Sequence, residues 1–148
     1  MRPDVPRVLN GIAMSLATDI MREVQTPFGQ NAVSHAAGLL MMIGQEFDRA
    51  AARLVEENAA ILAILARAQS SMEDPGLQDR ITRELGEIPG QDLRVSALQA
   101  ENDRLRTLLI DVHAAVEAAP GAEAEALDRL IWDELRESTR RRHLAMMR

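Results

Sequence analysis

The sequence predicts an all-α protein: an elongated helical bundle of four main helices, with one long coiled-coil-like helix over about residues 32–72. Three observations lead there. The chain has no Tyr, two Phe and one Trp but is rich in Ala, Leu, Met, Glu and Arg, a composition that favours helices over sheets. Apolar residues recur at alternating spacings of three and four over long stretches, as on the buried stripe of a helix. Pro and Gly fall together at QTPFGQN, EDPGLQ, EIPGQD and APGAE, where such stripes stop. At 148 residues the chain is read as a single all-helical domain, residues 1–148, with an exposed connector at about 73–91.

Asp4 is placed to cap a first helix whose stripe is Leu9, Ile12, Leu16, Ile20 and Val24. Pro27 and Gly29 are read as its end, and Asn31 as the cap of the next helix. The second helix is the long one. Its seam runs Val33, Ala37, Leu40, Gly44, Phe47, Ala51, Leu54, Asn58, Ile61, Leu65, Ala68 and Met72. The first half, AAGLLMMIG, is apolar nearly all round and is expected to be enclosed on several sides, with Ser34, Gly38 and Gly44 letting the first helix approach. Pro75-Gly76 and Pro89-Gly90 bracket the connector, which has room for a short helix from Leu77 to Leu85. A third helix, from about Asp92 as cap to Ala119, carries Val95, Leu98, Asn102, Leu105, Leu109, Val112 and Val116. Pro120-Gly121 stops it. The fourth, from Glu123 to about Arg142, is expected to bury Ala124, Leu127, Ile131 and Leu135.

Two segments repeat one motif. LVEENAAILAIL, from Leu54, aligns without gaps on LQAENDRLRTLL, from Leu98, so that Asn58 matches Asn102 and Glu57 matches Glu101. An Asn in an apolar seam needs a hydrogen-bond partner, and that need fixes register. Asn102 could meet its counterpart in a parallel homodimer, or Asn58 in an antiparallel hairpin of one chain; both stay open, and the functional alternative is that the two carboxamides line a ligand cavity with Glu57 and Glu101. Replacing Asn102 by Leu is expected to raise stability while loosening register.

The chemistry searched for is mostly missing. Without Cys there is no disulfide framework, thiolate metal site or thiol nucleophile. No phosphate-binding Gly loop, G-x-S-x-G or H-E-x-x-H is present, nor the Glu-x-x-His pairs of di-iron bundles. His35 reads as a packing residue, His113 with Glu117 as a charged helix face, and His143 as part of the tail. No catalytic residue, metal or cofactor is expected. A formal charge of -6 disfavours DNA, as do Asp92, Glu101 and Asp103 in the would-be recognition helix of ITRELGEIPGQDLRVSAL. The longest uncharged stretch, Val24 to Gln45, is broken by Pro27 and Gly29 and falls short of the roughly 20 apolar residues of a membrane span. MRPDVPRVLN does not read as a signal peptide, so a cytoplasmic protein is expected.

Partner contact is expected on the fourth helix. Trp132 points away from the Leu127/Ile131/Leu135 stripe, between Arg129 and Arg136, which suits an interface anchor; equally, it could close one end of the core. Arg140, Arg141 and Arg142 form a basic cluster that suits a solvated helix end, an acidic partner surface or the phosphates of a bound cofactor.

RAAARLVEENAAI and LDRLIWDELRESTRRRHL resemble the small all-helical accessory proteins encoded beside aminoglycoside-phosphotransferase-like kinases and acyl-CoA dehydrogenases in bacterial hydroxy-acid catabolism. The resemblance implies a noncatalytic subunit that assists a kinase acting on acyl-CoA substrates. The expected function is therefore a nonenzymatic accessory or interaction subunit, self-associating or bound to a protein partner. The alternatives are a small-molecule or acyl-chain binder using the Met/Leu-rich segment Leu39 to Ile43, and a DNA-binding regulator.

Overall fold

The Asp4 carboxylate accepts the Arg7 N–H at 3.2 Å and so opens α1 (Val5–Ser15), with Pro6 in the first turn where a missing N–H costs nothing. A π-helical stretch, Leu16–Ile20, carries the chain into the short α2 (Met21–Glu23). The computed structural model describes residues 4–87 and 92–144, and all of its regular elements there are helical.

The long helix, α3 (Pro27–Ala68), starts earlier than the periodicity suggests. Pro27 and Gly29 begin it rather than end its predecessor, because proline fits a helix's first turn and Thr26 Oγ1 accepts the Gly29 N–H at 3.2 Å. Asn31 therefore lies inside the helix. Gly29 is needed at this reversal: a Cβ there would lie 2.5 Å from Val24 Cγ1. At its other end α3 tightens into a 3-10 turn, Gln69–Ser71.

The segment expected to be an exposed connector instead contributes core. Asp74 caps α4 (Pro75–Gly86) by accepting the Gly76 N–H at 2.9 Å, and Leu77 and Ile81 are buried. Leu77, Ile81 and the half-buried Leu85 stand one turn apart, and one side chain per turn suffices to seal a face. The Pro89-Gly90 bracket lies outside the described residues. α5 (Val95–Ala118) starts three residues after Asp92, which accepts the Arg94 N–H at 3.0 Å and pairs with the Arg94 guanidinium. The turn to α6 (Ala122–Arg141) is made by Gly121 at φ 110°, a conformation L side chains rarely adopt.

The described residues fall into two compact units where the sequence suggests one domain: one from Asp4 to Ala50 together with Leu144, and one over Ala51–His143. The second is a four-helix bundle. Ion pairs Arg80–Asp111 (2.7 Å) and Arg104–Glu84 (2.9 Å) show α4 antiparallel to α5, and Arg67–Glu123 (3.4 Å) with Arg141–Glu56 (3.6 Å) show α3 antiparallel to α6. Because α4 returns the chain, α3 and α5 run parallel. Ile61, Leu65 and Ala68 of α3, Ile81 of α4, Leu105, Leu109 and Val112 of α5, and Leu127 and Ile131 of α6 share one core.

The first unit is thinner. A Cβ on Gly44 would lie 3.7 Å from Leu9 Cβ and 3.8 Å from Pro6 Cα, so α1 packs beside α3 here through a small residue. Buried there are Ala13, Ala37, Gly44 and Ala50. AAGLLMMIG is thus covered chiefly on its small-residue side, and the expected enclosure is not complete among the described residues: Leu39, Ile43 and Phe47 are more than half exposed. No helix among the described residues is long and apolar enough to cross a membrane.

Candidate functional site

Glu57 is the focus of a polar network within the four-helix bundle. Its side chain is 0 % exposed, yet it accepts from guanidiniums carried by three elements. Arg142, just past α6, donates from Nε to Oε1 at 3.2 Å and from Nη2 to Oε2 at 2.7 Å. Arg106 of α5 donates from Nη2 to Oε2 at 3.0 Å, and Arg53, one turn earlier on α3, lies 3.5 Å from Oε1. Burial pushes the Glu57 carboxyl up, but the hydrogen bonds from Arg142 and Arg106, with the charge of the same groups, outweigh it and bring it from 4.5 down to about 2.

Arg106 links this carboxylate to the asparagines. Its Nη2 also donates to Ser138 Oγ at 2.6 Å and its Nε to Asn102 Oδ1 at 2.9 Å. Asn102 Nδ2 donates to Asn58 Oδ1 at 2.8 Å, and Asn58 Nδ2 donates to the Leu98 carbonyl at 3.2 Å. The two asparagines meet within one chain but across parallel helices, an arrangement that is neither the antiparallel hairpin nor the parallel homodimer left open by the sequence. The gap-free alignment of their segments is what a parallel pair in matched register requires. Chemically the network is a lock: both Glu57 oxygens are held by cations, and the charge it carries ties α3, α5 and α6 together.

A second polar cluster lies between α5 and α6. His113 Nε2 is 2.9 Å from Asp128 Oδ1 and 3.6 Å from Glu117 Oε1, and the Trp132 ring meets the imidazole edge-on at 5.5 Å. Helical spacing pairs His113 with Glu117 but does not by itself bring in Asp128. A signal was available: His113 stands seven residues before Pro120 and Asp128 seven after Gly121, so a tight antiparallel turn brings them opposite one another.

The residues expected to contact a partner separate into two groups. Arg129, Trp132, Arg136 and Arg140 share the exposed side of α6, with their guanidiniums paired to Glu125, Asp133 and Glu137 of the same helix. Arg141 and Arg142 instead reach across to α3. Arg141 binds Glu134 at 2.8 Å, a hydrogen bond that raises its guanidinium pKa, and also reaches Glu56; Arg142 clamps Glu57. The basic cluster is therefore divided between the outer face of α6 and the contact with α3, where Arg142 keeps about half of its side chain exposed.

Of the segments invoked by the alternatives, Leu39 and Ile43 lie at the surface. A cleft of about 450 Å³ is lined elsewhere, by residues such as Met72, Leu77, Val116, Ala119 and Leu127. The helix-turn-helix-like stretch is only partly described, with residues 88–91 outside it. No protein-family model, curated protein or solved structure matches the chain.

Proposed function

We propose that this chain is a nonenzymatic interaction subunit that assembles with a second copy of itself through its N-terminal pair of helices. The observation that carries the reading is the uncovered apolar stripe of that pair: Phe28 (86 % exposed), Leu39, Ile43 and Phe47 (58 %) on α3, with Val8 and Ile12 on α1. Leu39, Ile43 and Phe47 succeed one another at each turn. Monomers rarely leave more than a few hundred Å² of contiguous apolar surface in water, and a stable dimer buries about 800 Å² per partner.

A second copy suits this surface by its charge. From Val24 to Gln45 there is no Asp, Glu or Arg, and α1 and α2 set Arg7 and Arg22 against Asp4, Asp19 and Glu23. A protein of net charge -6 can therefore pair with itself along α3 from Phe28 to Ile43 without bringing like charges of that helix together, and only at Phe47 do acids, Glu46 and Asp48, flank the stripe. Two helical pairs packed about a twofold axis form a four-helix bundle, enclosing on the dimer what the monomer leaves open. The accessory role implied by the resemblance, assisting an acyl-CoA-directed kinase or dehydrogenase, is left to the separate α6 face of Arg129, Trp132 and Arg136.

Light scattering on the full chain tests the assembly. The expected mass is twice the 16.3 kDa of one chain, falling to one chain in Leu39→Glu/Ile43→Glu with most helical circular dichroism retained. A wild-type monomer of undiminished helicity at high concentration, or a double variant that stays dimeric, overturns it.

A further inference from the structure

We propose that His113, Glu117 and Asp128 form a binding site for a divalent first-row transition ion of the zinc class, clipping α5 to α6. The proposal stands apart from self-association, since the three residues lie in the four-helix bundle.

The geometry is that of a ligand set. The imidazole Nε2 and one oxygen from each carboxylate all lie within 4.8 Å of one another. An ion about 2.1 Å from two ligand atoms holds them about 3.0 Å apart at a right angle and about 3.4 Å apart at a tetrahedral angle. The observed separations, 2.9 Å from His113 to Asp128 and 3.6 Å from His113 to Glu117, bracket those values. His113 and Glu117 are one turn apart on α5, the i, i+4 spacing that puts two ligands on one helix face, and Asp128 completes the set from the facing turn of α6.

The donor set also selects the ion. One imidazole nitrogen with two carboxylates suits zinc and its first-row neighbours; the all-oxygen shells of calcium and magnesium make no use of the nitrogen. His113 is mostly shielded, with Trp132 edge-on to its ring, whereas Glu117 and Asp128 are 60 % and 35 % exposed. Water can thus complete the coordination from the solvent side.

Trp132 is the chain's one tryptophan and there is no tyrosine, so its fluorescence reports directly on the neighbouring imidazole. In tag-free, metal-stripped full-length protein, Zn²⁺ is expected to bind by calorimetry at one ion per chain. Co²⁺ should quench Trp132, and Zn²⁺ should reverse the quenching. Glu117→Gln and Asp128→Asn alter exposed ligands and should weaken Zn²⁺ binding at least about tenfold. His113→Gln should abolish it, while His35→Gln/His143→Gln should leave it unchanged. No heat and no quenching with metal in large excess overturns the site, leaving a His–Asp hydrogen bond only. Binding that survives both carboxylate variants overturns it equally, whether or not His113→Gln folds.

Discussion

Asn102 Nδ2 donates to Asn58 Oδ1 at 2.8 Å, with both amides buried between parallel stretches of α3 and α5. The contact lies on a chain of donors and acceptors: Leu98 carbonyl, Asn58, Asn102, Arg106, Glu57 and Arg142. Each helix of this polar layer supplies a group that another needs. Register follows, because a one-residue slip of α5 against α3 would strand the two asparagines and the Glu57 carboxylate together.

This connectivity reverses the effect expected from the seam alone. Asn102→Leu adds apolar surface but leaves Asn58 Oδ1 and Arg106 Nε without a partner, so the variant should lose about 2 kcal/mol. Asn58→Leu/Asn102→Leu removes both amides together and should cost less than the sum of the single changes by about 1 kcal/mol. Urea unfolding of the four proteins closes the cycle. Additive losses would mean that the amides act independently.

Glu57 predicts an acid-labile bundle. Its carboxyl titrates near 4.5 when unfolded and at about 2 when folded, so the unfolded chain binds the proton more readily. The stability this adds is complete above 4.5 and disappears as pH falls through 2. By linkage it amounts to about 3 kcal/mol. Unfolding free energies of wild type and Glu57→Gln, measured from neutral pH down to about 2, should converge at the acid end. Parallel profiles would remove Glu57 as the cause.

How much of this was legible in the sequence depended on periodicity. The α5 stripe and the core of α6 repeat at helical spacing, so Leu98, Leu105, Leu109, Leu127 and Ile131 are recognisable from pattern alone. Leu77, Ile81 and Leu85 also recur every four residues and allow a short helix, but the Pro-Gly brackets and the charges between these residues read as an exposed connector rather than as a source of core. A connector there has a larger consequence: unless α4 returns the chain, an intrachain meeting of Asn58 with Asn102 implies an antiparallel hairpin of α3 and α5 rather than the parallel pair observed. Glu57 was visible only as the neighbour of Asn58, since nothing local shows that three arginines, two of them distant in sequence, converge on it. The Asp128 contact follows from counting outward from the Pro120-Gly121 turn, a step that requires the turn to be taken as tight.

Two neighbours in the basic cluster should behave differently. Arg142 makes a two-point contact with a carboxylate that has no access to water, and Arg142→Ala should cost about 2 kcal/mol. Arg140, 75 % exposed and paired with Glu137 on the same helix, should cost under about 0.5 kcal/mol as Arg140→Ala. Thermal unfolding of the two variants side by side separates the clamp from the solvated helix end, and equal losses would contradict the division.

Trp132 sits between the two roles its sequence position allowed. At 49 % exposure it is not core, and its edge-on contact with His113 makes it more than a solvated side chain. Truncation removes an aromatic pair of about 1 kcal/mol together with partial burial, so Trp132→Ala should destabilise by about 1–2 kcal/mol. Trp132→Phe should recover much of that loss, because a phenyl ring can keep the edge contact. A loss of about 4 kcal/mol, on the scale of truncating a buried aromatic, would place the indole in the core. An undetectable loss would mean that the His113 contact adds nothing, leaving the ring to the α6 surface alone.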